Sequence, residues 1–268
     1  MKATSLFGGV QVFQIIIQVI RSKFIAVLLG PAGMGIASLL NSTIGLIGGL
    51  TNFGLGTSAV KNVSEANATG NKTRVATIII VLKRLVWITG TLGAVVTLIL
   101  SSWLSKITFG NTEYTLAFVW ISITLLLKQL TTGQLVILQG LRKLQYLAKA
   151  NLLGSFLGLI ITVPIYYFYG IDGIVPGIII TATISLILTW YFSHKIKIEP
   201  VKVSPLRTFA ESKSMLTMGF MISLSGLITL GVSYIVRIYI SNKGGLGDVG
   251  LYNAGFAIIN TYVGLVFT

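Results

Sequence analysis

The chain contains no cysteine, one histidine and only six acidic residues in 268. Without cysteine there can be no disulfide and no thiolate metal site. A single histidine cannot build a His-cluster metal site, so neither a metal nor a cofactor is expected. Charged residues of both signs make up 10% of the chain, against about 25% in a soluble domain. That is too little charge to coat a water-facing surface. No cleavable signal peptide is expected, because the first apolar stretch is too long and no small-residue cleavage site follows it.

What is present in excess is hydrophobic. Such residues make up 54% of the chain, and the mean hydropathy is +0.89. An all-α polytopic membrane protein follows. The 20 Lys+Arg set against six acids give a net charge of +14. A balance like that can mark a nucleic-acid binder. Here the cations lie between apolar runs, as they do in membrane proteins, so membrane lipids and not nucleic acid are the expected surroundings.

A helix needs about 20 apolar residues to cross the hydrocarbon core. Eight stretches qualify: 6–29, 36–60, 85–104, 114–138, 151–169, 173–192, 214–240, and one from about 249 to the last residue. Barrel strands would alternate over about ten residues, and these runs do not. With the N-terminus inside, 14 of the 20 Lys/Arg fall in inner segments, two in outer loops and four within spans. That bias sets the N-terminus in the cytoplasm. Residues 194–213, with Pro200 and Pro205, read as a basic cytoplasmic linker. It would join a six-helix lobe at 1–193 to the start of a second lobe at 214–268.

The sequence also repeats weakly. Val19-Ile20-Arg21 precedes Leu29-Gly30-Pro31-Ala32-Gly33, and Ile235-Val236-Arg237 precedes Leu246-Gly247-Asp248-Val249-Gly250. The arginines are 216 residues apart and the LGxxG segments 217. Parallel repeats of this kind occur in transporters, with the substrate path at their interface. A complete second copy would need about 160 further residues and four more spans. The chain is therefore expected to be a fragment or truncated product, with a complete eight-span protein as the alternative.

Four segments carry a family resemblance: 18–35 (QVIRSKFIAVLLGPAGMG), 54–61 (GLGTSAVK), 138–143 (LQGLRK) and 247–254 (GDVGLYNA). In order and spacing the chain resembles Wzx-type O-antigen and polysaccharide repeat-unit flippases of the multidrug/oligosaccharidyl-lipid/polysaccharide exporter superfamily. The resemblance implies two six-helix lobes around a central cavity in the bacterial inner membrane. It implies an oligosaccharide on undecaprenyl pyrophosphate as substrate, as in lipopolysaccharide assembly, turned to the outer leaflet by alternating access. A polysaccharide polymerase and other assembly proteins are possible partners on the same basis.

Cations inside the spans are the candidate site. A Lys or Arg at the bilayer centre costs about 2.5–3.5 kcal/mol on insertion scales, and such residues tend to face wet cavities. Gln11, Gln14, Gln18 and Arg21 fall within an arc of about 80° on a helix, and Lys23 points about 160° from its centre. Arg21 and the three glutamines are thus expected to line the cavity, and Lys23 to snorkel or contact a neighbouring helix. Lys128 sits mid-span with Thr124, Thr131 and Thr132 on its face. Arg237 shares a face with Ser223, Gly226, Ser233 and Tyr234, and the repeat sets it opposite Arg21. Lys61 ends the second span, where it would meet an entering phosphate or serve as an ordinary inside anchor. These cations suit a pyrophosphate.

No acid falls within a span. That argues against a drug or cation exporter, which needs a buried carboxylate, though this remains the alternative, with a non-transporting truncated protein as another. No nucleophile–base pair or phosphate-binding loop marks an enzyme. His194 reads as interfacial. Trp87, Trp103 and Trp190 read as interface anchors, Trp120 as packed in the bundle, and Pro164 as a kink.

Overall fold

The computed structural model describes residues 2–199 and 201–267, with side chains for all of these except 2–8, 205–207, 261, 262 and 264–267. The described chain is helical almost throughout: α1 (Lys2–Asn52), α2 (Leu55–Ala68), α3 (Lys72–Ile99), α4 (Ser101–Phe109), α5 (Thr115–Gly140), α6 (Leu144–Tyr169), α7 (Ile174–His194) and α8 (Pro205–Phe267). A 3₁₀ turn, Gly170–Gly173, joins α6 to α7.

Five stretches are long and apolar enough to cross a membrane: Gly9–Asn52, Lys72–Ile99, Thr115–Gly140, Leu144–His194 and Thr208–Asn260. Three of them run to 44, 51 and 53 residues, about twice a single crossing. Each of those three is broken at a glycine well inside its length. In α1 the break is Gly30 (φ 65°, ψ −176°), followed by Pro31, which has no N–H to continue the ladder. In α8 it is Gly245 (φ 82°, ψ −177°). Both conformations are open to glycine and strained for any residue with a Cβ. Each long helix is therefore a pair of arms folded back at a glycine, and the chain is an all-α polytopic membrane protein.

Helix ends do not coincide with the apolar runs. The run at 36–60 stops being one helix at Asn52. Phe53 and Gly54 both take positive φ, the Asn52 side chain accepts the Gly54 N–H at 2.7 Å, and α2 sets off in a new direction. The run at 85–104 lies in α3 and α4, divided at Leu100. α3 itself starts at Lys72, where Asn71 caps it by accepting the Arg74 N–H at 3.0 Å. The supposed linker is already helix from Pro205 onward. Hydropathy reports only the length in hydrocarbon, whereas helical hydrogen bonding continues into the headgroup region and water.

The bundle has one basic end, formed by the starts of α3, α6 and α8 and the ends of α5 and α7. It carries Arg74, Arg142, Lys143, Lys149 and Lys195. There α2, α3, α5 and α8 share a core around Val63, Ile78, Leu82, Ile137 and Met215. Glu211 of α8 meets Arg74 of α3 in a two-pronged pair, with the second prong at 3.1 Å, and Arg84 donates to Thr208 at 2.6 Å. A second core at the other end gathers Leu40, Leu104, Phe118, Ile121 and Ile174. Trp120 is 64% exposed and not packed inside. Hydrocarbon is as apolar as a bundle core, so an indole can face outward without cost. α6 continues as one helix through Pro164.

Candidate functional site

The second arm of α1 and the first arm of α8 run antiparallel along one another. Leu227 and Leu230 of α8 close on Gly49, and Leu230 also lies at Gly45. At the end with the breaks the contact becomes backbone on backbone. A Cβ added at Gly35 would collide with the Leu246 carbonyl and lie 3.3 Å from the Gly250 nitrogen. One added at Gly250 would collide with the Pro31 carbonyl. The two folded-back turns therefore pack against each other at the same end of the bundle.

The matched breaks define a register. Gly30 and Gly245 are 215 residues apart, not the 216 of the arginines or the 217 of the LGxxG segments. In this register Gly35 corresponds to Gly250, Ser38 to Asn253, and Ser22 to Arg237. The first two of these pairs touch, Ser38 Oγ donating to Asn253 Oδ1 at 2.9 Å. Arg21 corresponds to Val236, one position away from Arg237 and so about 100° around the helix. The two arginines are therefore not equivalent positions.

Arg237 is 7% exposed. Its Nε donates to Ser38 Oγ at 2.9 Å, its Nη1 to the Ser233 carbonyl at 2.9 Å and to the Ser233 hydroxyl, and its Nη2 to Asn253 Oδ1 at 3.4 Å. The rings of Tyr252 and Phe256 lie 5.7 and 5.5 Å from the guanidinium carbon. Each of these partners is a neutral oxygen or an aromatic face. The residue borders a cavity of about 420 Å³ between α1 and α8, along with Ser22, Ser38, Asn41, Ser42 and Asn253. No carboxylate lines it.

A second cavity, about 710 Å³, lies between the first arm of α1 and the second arm of α8, and Ser22 and Met34 belong to both. Gln11, Gln14, Gln18 and Lys23 line it on one side and Asn260 on the other. The three glutamines line one cavity, and its companion charge is Lys23, not Arg21. The lining centres on Gln11, Gln18 and Ser22, which puts Arg21 and Lys23 on opposite flanks. Arg21 instead turns toward α7, where Nη2 donates to Thr181 Oγ1 at 3.4 Å. Lys128 of α5 is its electrostatic neighbour. The Lys128 side chain is surrounded by helices yet keeps an accessible surface. One turn before it, the fully buried Thr124 hydroxyl has no hydrogen-bond partner among the described residues.

The expected cation set is thus divided into two groups. Arg237 with its neutral partners forms one, and Arg21 with Lys128 the other. Lys61 belongs to neither: it lies on α2, exposed, 3.7 Å from Glu65 one turn on. The residues missed from sequence are Ser38, Asn41, Ser42 and Asn253. A signal existed, since 38, 41 and 42 follow helical spacing on one face of a run without charge. Ser38 and Asn253 also each stand eight residues beyond a break glycine. Among the described residues no group of His, Cys, Asp and Glu could hold a metal.

Comparison with known proteins adds a fold and a family. A solved structure described as the inward-facing conformation of a multidrug resistance MATE family transporter of the MOP superfamily superposes with a TM-score of 0.72. The match is at 15% identity, over 95% of this chain and 59% of that one. The chain thus has the fold of that protein and spans somewhat over half its length. No curated protein matches. The model of the family described as polysaccharide biosynthesis protein matches residues 1–268, and the chain belongs to that family.

Proposed function

We propose that this chain forms the first lobe, and the opening helices of a second, of a transporter that turns a lipid-linked oligosaccharide from the inner to the outer leaflet of a bacterial cytoplasmic membrane. Residues 1–193 are the first lobe, 194–213 the cytoplasmic connection and 214–268 the beginning of the second. The substrate is a repeat unit on undecaprenyl pyrophosphate, of the O-antigen type, and the protein works beside a polymerase and other assembly proteins. The N-terminus and the basic end face the cytoplasm. The protein moves its substrate and catalyses no covalent step.

One observation carries this reading: Arg237 is buried between α1 and α8 beside a cavity that Ser22, Ser38, Asn41, Ser42 and Asn253 help to line, with no acid among its described lining residues. A guanidinium held by neutral oxygens keeps its positive field, and a pyrophosphate supplies oxygens that pair with it in a low dielectric. Arg21 and Lys128 extend that field into the first lobe. The Gln and Asn side chains along the second cavity match sugar hydroxyls in hydrogen-bonding capacity. A drug or cation exporter is the weaker reading. Glu113 and Asp172 do line a cavity, but between α1, α5 and α7 and not in the cleft with α8.

The test is complementation of a flippase-deficient strain by the full-length protein bearing Arg21→Gln, Lys23→Gln, Lys128→Gln or Arg237→Gln at matched expression. Arg237→Gln and Lys128→Gln are expected to lower glycan export about tenfold or more, the size of one lost charge-assisted contact. Undiminished export in all four would overturn the anionic substrate.

A further inference from the structure

α3, α5 and α7 enclose a groove of about 510 Å³, with no described residue of α8 in its lining. α5 forms its floor, where Gly133 is packed against Val86 of α3 and Leu130 adds an apolar surface. α3 contributes Lys83 and Trp87 to one wall, and α7 contributes Ile187, Trp190 and His194 to the other. Trp87 and Trp190 are 56% and 51% exposed; Trp190 stands one turn before the basic end of α7 and Trp87 midway along α3, and indoles settle at a membrane–water boundary. The groove is apolar below and polar at its rim, and no acidic residue lines it.

Of the polar groups along the groove, Gln134 already accepts from Ser193 at 2.6 Å, and Lys83 and His194 differ in chemistry. The neighbouring Arg84 is already engaged with Thr208 at 2.6 Å and the Val203 carbonyl at 3.3 Å. Lys83 is exposed and makes no ion pair among the described residues. His194 lies against Trp190, with ring centroids 4.3 Å apart, and its Nδ1 is 3.1 Å from the Trp190 carbonyl. A carbonyl can only accept, so Nδ1 carries the hydrogen and Nε2 of the neutral ring is an acceptor. The rim therefore offers a cation for a phosphate and, beside it, an acceptor for a hydroxyl.

We infer that this groove is a binding site for an anionic phospholipid with a hydroxylated headgroup, of the phosphatidylglycerol type. Its phosphate pairs with Lys83, a headgroup hydroxyl donates to His194 Nε2, and one acyl chain lies along Leu130 and Ile187 between the two tryptophans. Lys83 and His194 account for the selectivity and the apolar groove for the depth. The site is separate from the proposed transport path, because no described residue of α8 lines it.

The experiment is native mass spectrometry of the purified full-length protein in detergent, with dioleoyl phosphatidylglycerol, phosphatidic acid, phosphatidylcholine and undecaprenyl phosphate added at equal concentration. Phosphatidylglycerol is expected to be retained about tenfold over phosphatidylcholine, the scale of one charge-assisted contact. Lys83→Gln should bring that ratio close to one. His194→Phe should leave it and instead remove the preference for phosphatidylglycerol over phosphatidic acid. Both side chains are exposed, so folding is not at issue, and Lys149→Gln, a basic-end control on α6, should change neither ratio. An unchanged phosphatidylglycerol preference in Lys83→Gln would overturn the site. Undecaprenyl phosphate displacing phosphatidylglycerol in a Lys83-dependent way would overturn its occupant. Neither outcome bears on glycan export, which is measured separately.

Discussion

A guanidinium with four hydrogen bonds and no anion is an uncommon thing to bury. Arg237 donates to Ser38, Ser233 and Asn253 from three directions, a fork that a lysine ammonium cannot reproduce. Arg237→Lys should therefore fail almost as fully as Arg237→Gln in glycan export, down about tenfold, although charge is kept. Full activity in Arg237→Lys would mean that charge alone matters and the fork does not. Lys61 makes the opposite case. Its pair with Glu65 spans 3.7 Å between exposed side chains, and such pairs contribute about 0–1 kcal/mol. Lys61→Gln is expected to change export by less than about twofold, and a larger loss would return Lys61 to the substrate path.

At the scale of the element, the glycine-marked folds of α1 and α8 are the distinctive parts. Replacing Gly30 with alanine keeps the size small but places a Cβ at φ 65°, at a cost of about 1–2 kcal/mol. Gly35→Val is expected to be worse, because the added Cβ meets the Leu246 backbone, which has no rotamer to move aside. Thermal unfolding of the purified protein in detergent should show the larger drop for Gly35→Val and a smaller one for Gly30→Ala. If Gly35→Val were as stable as the parent, the close approach of the two turns would be wrong. The segment 29–35 was legible as a turn in sequence because Gly and Pro punctuate it. Its partner was placed two residues off, because 246–250 repeats the LGxxG letters while the break itself falls on the preceding Gly245.

At the scale of the molecule, charge asymmetry becomes orientation. The absence of cysteine makes the protein its own background for labelling. Single cysteines at Lys149, on the basic end, and at Lys243, near the Gly245 break, should be modified by an impermeant thiol reagent from opposite sides of the membrane. In whole cells Lys243→Cys is expected to react and Lys149→Cys only after permeabilisation. The reverse pattern would invert the topology. Orientation also bears on energetics: a substrate with two negative charges moving outward gains about 2.3 kcal/mol per charge per 100 mV. Dissipating the membrane potential in vesicles is expected to slow outward movement, and an unchanged rate would separate transport from the electric field.

Composition and hydropathy by themselves determined that this is a helical, many-pass membrane protein, since a chain with 10% charge and long apolar runs cannot fold any other way in water or lipid. They also marked Arg21, Lys128 and Arg237, because an intramembrane cation is costly enough to stand out. Only the tertiary structure decided how those cations are grouped. A helical wheel fixes angles within one helix, so it could relate Gln11 to Arg21 but not say that α8 covers the glutamines while α7 receives the arginine. The partners of Arg237 come from positions as far apart as Ser38 and Asn253. Their meeting depends on two glycine breaks folding distant arms onto one another, and no local pattern encodes that distance.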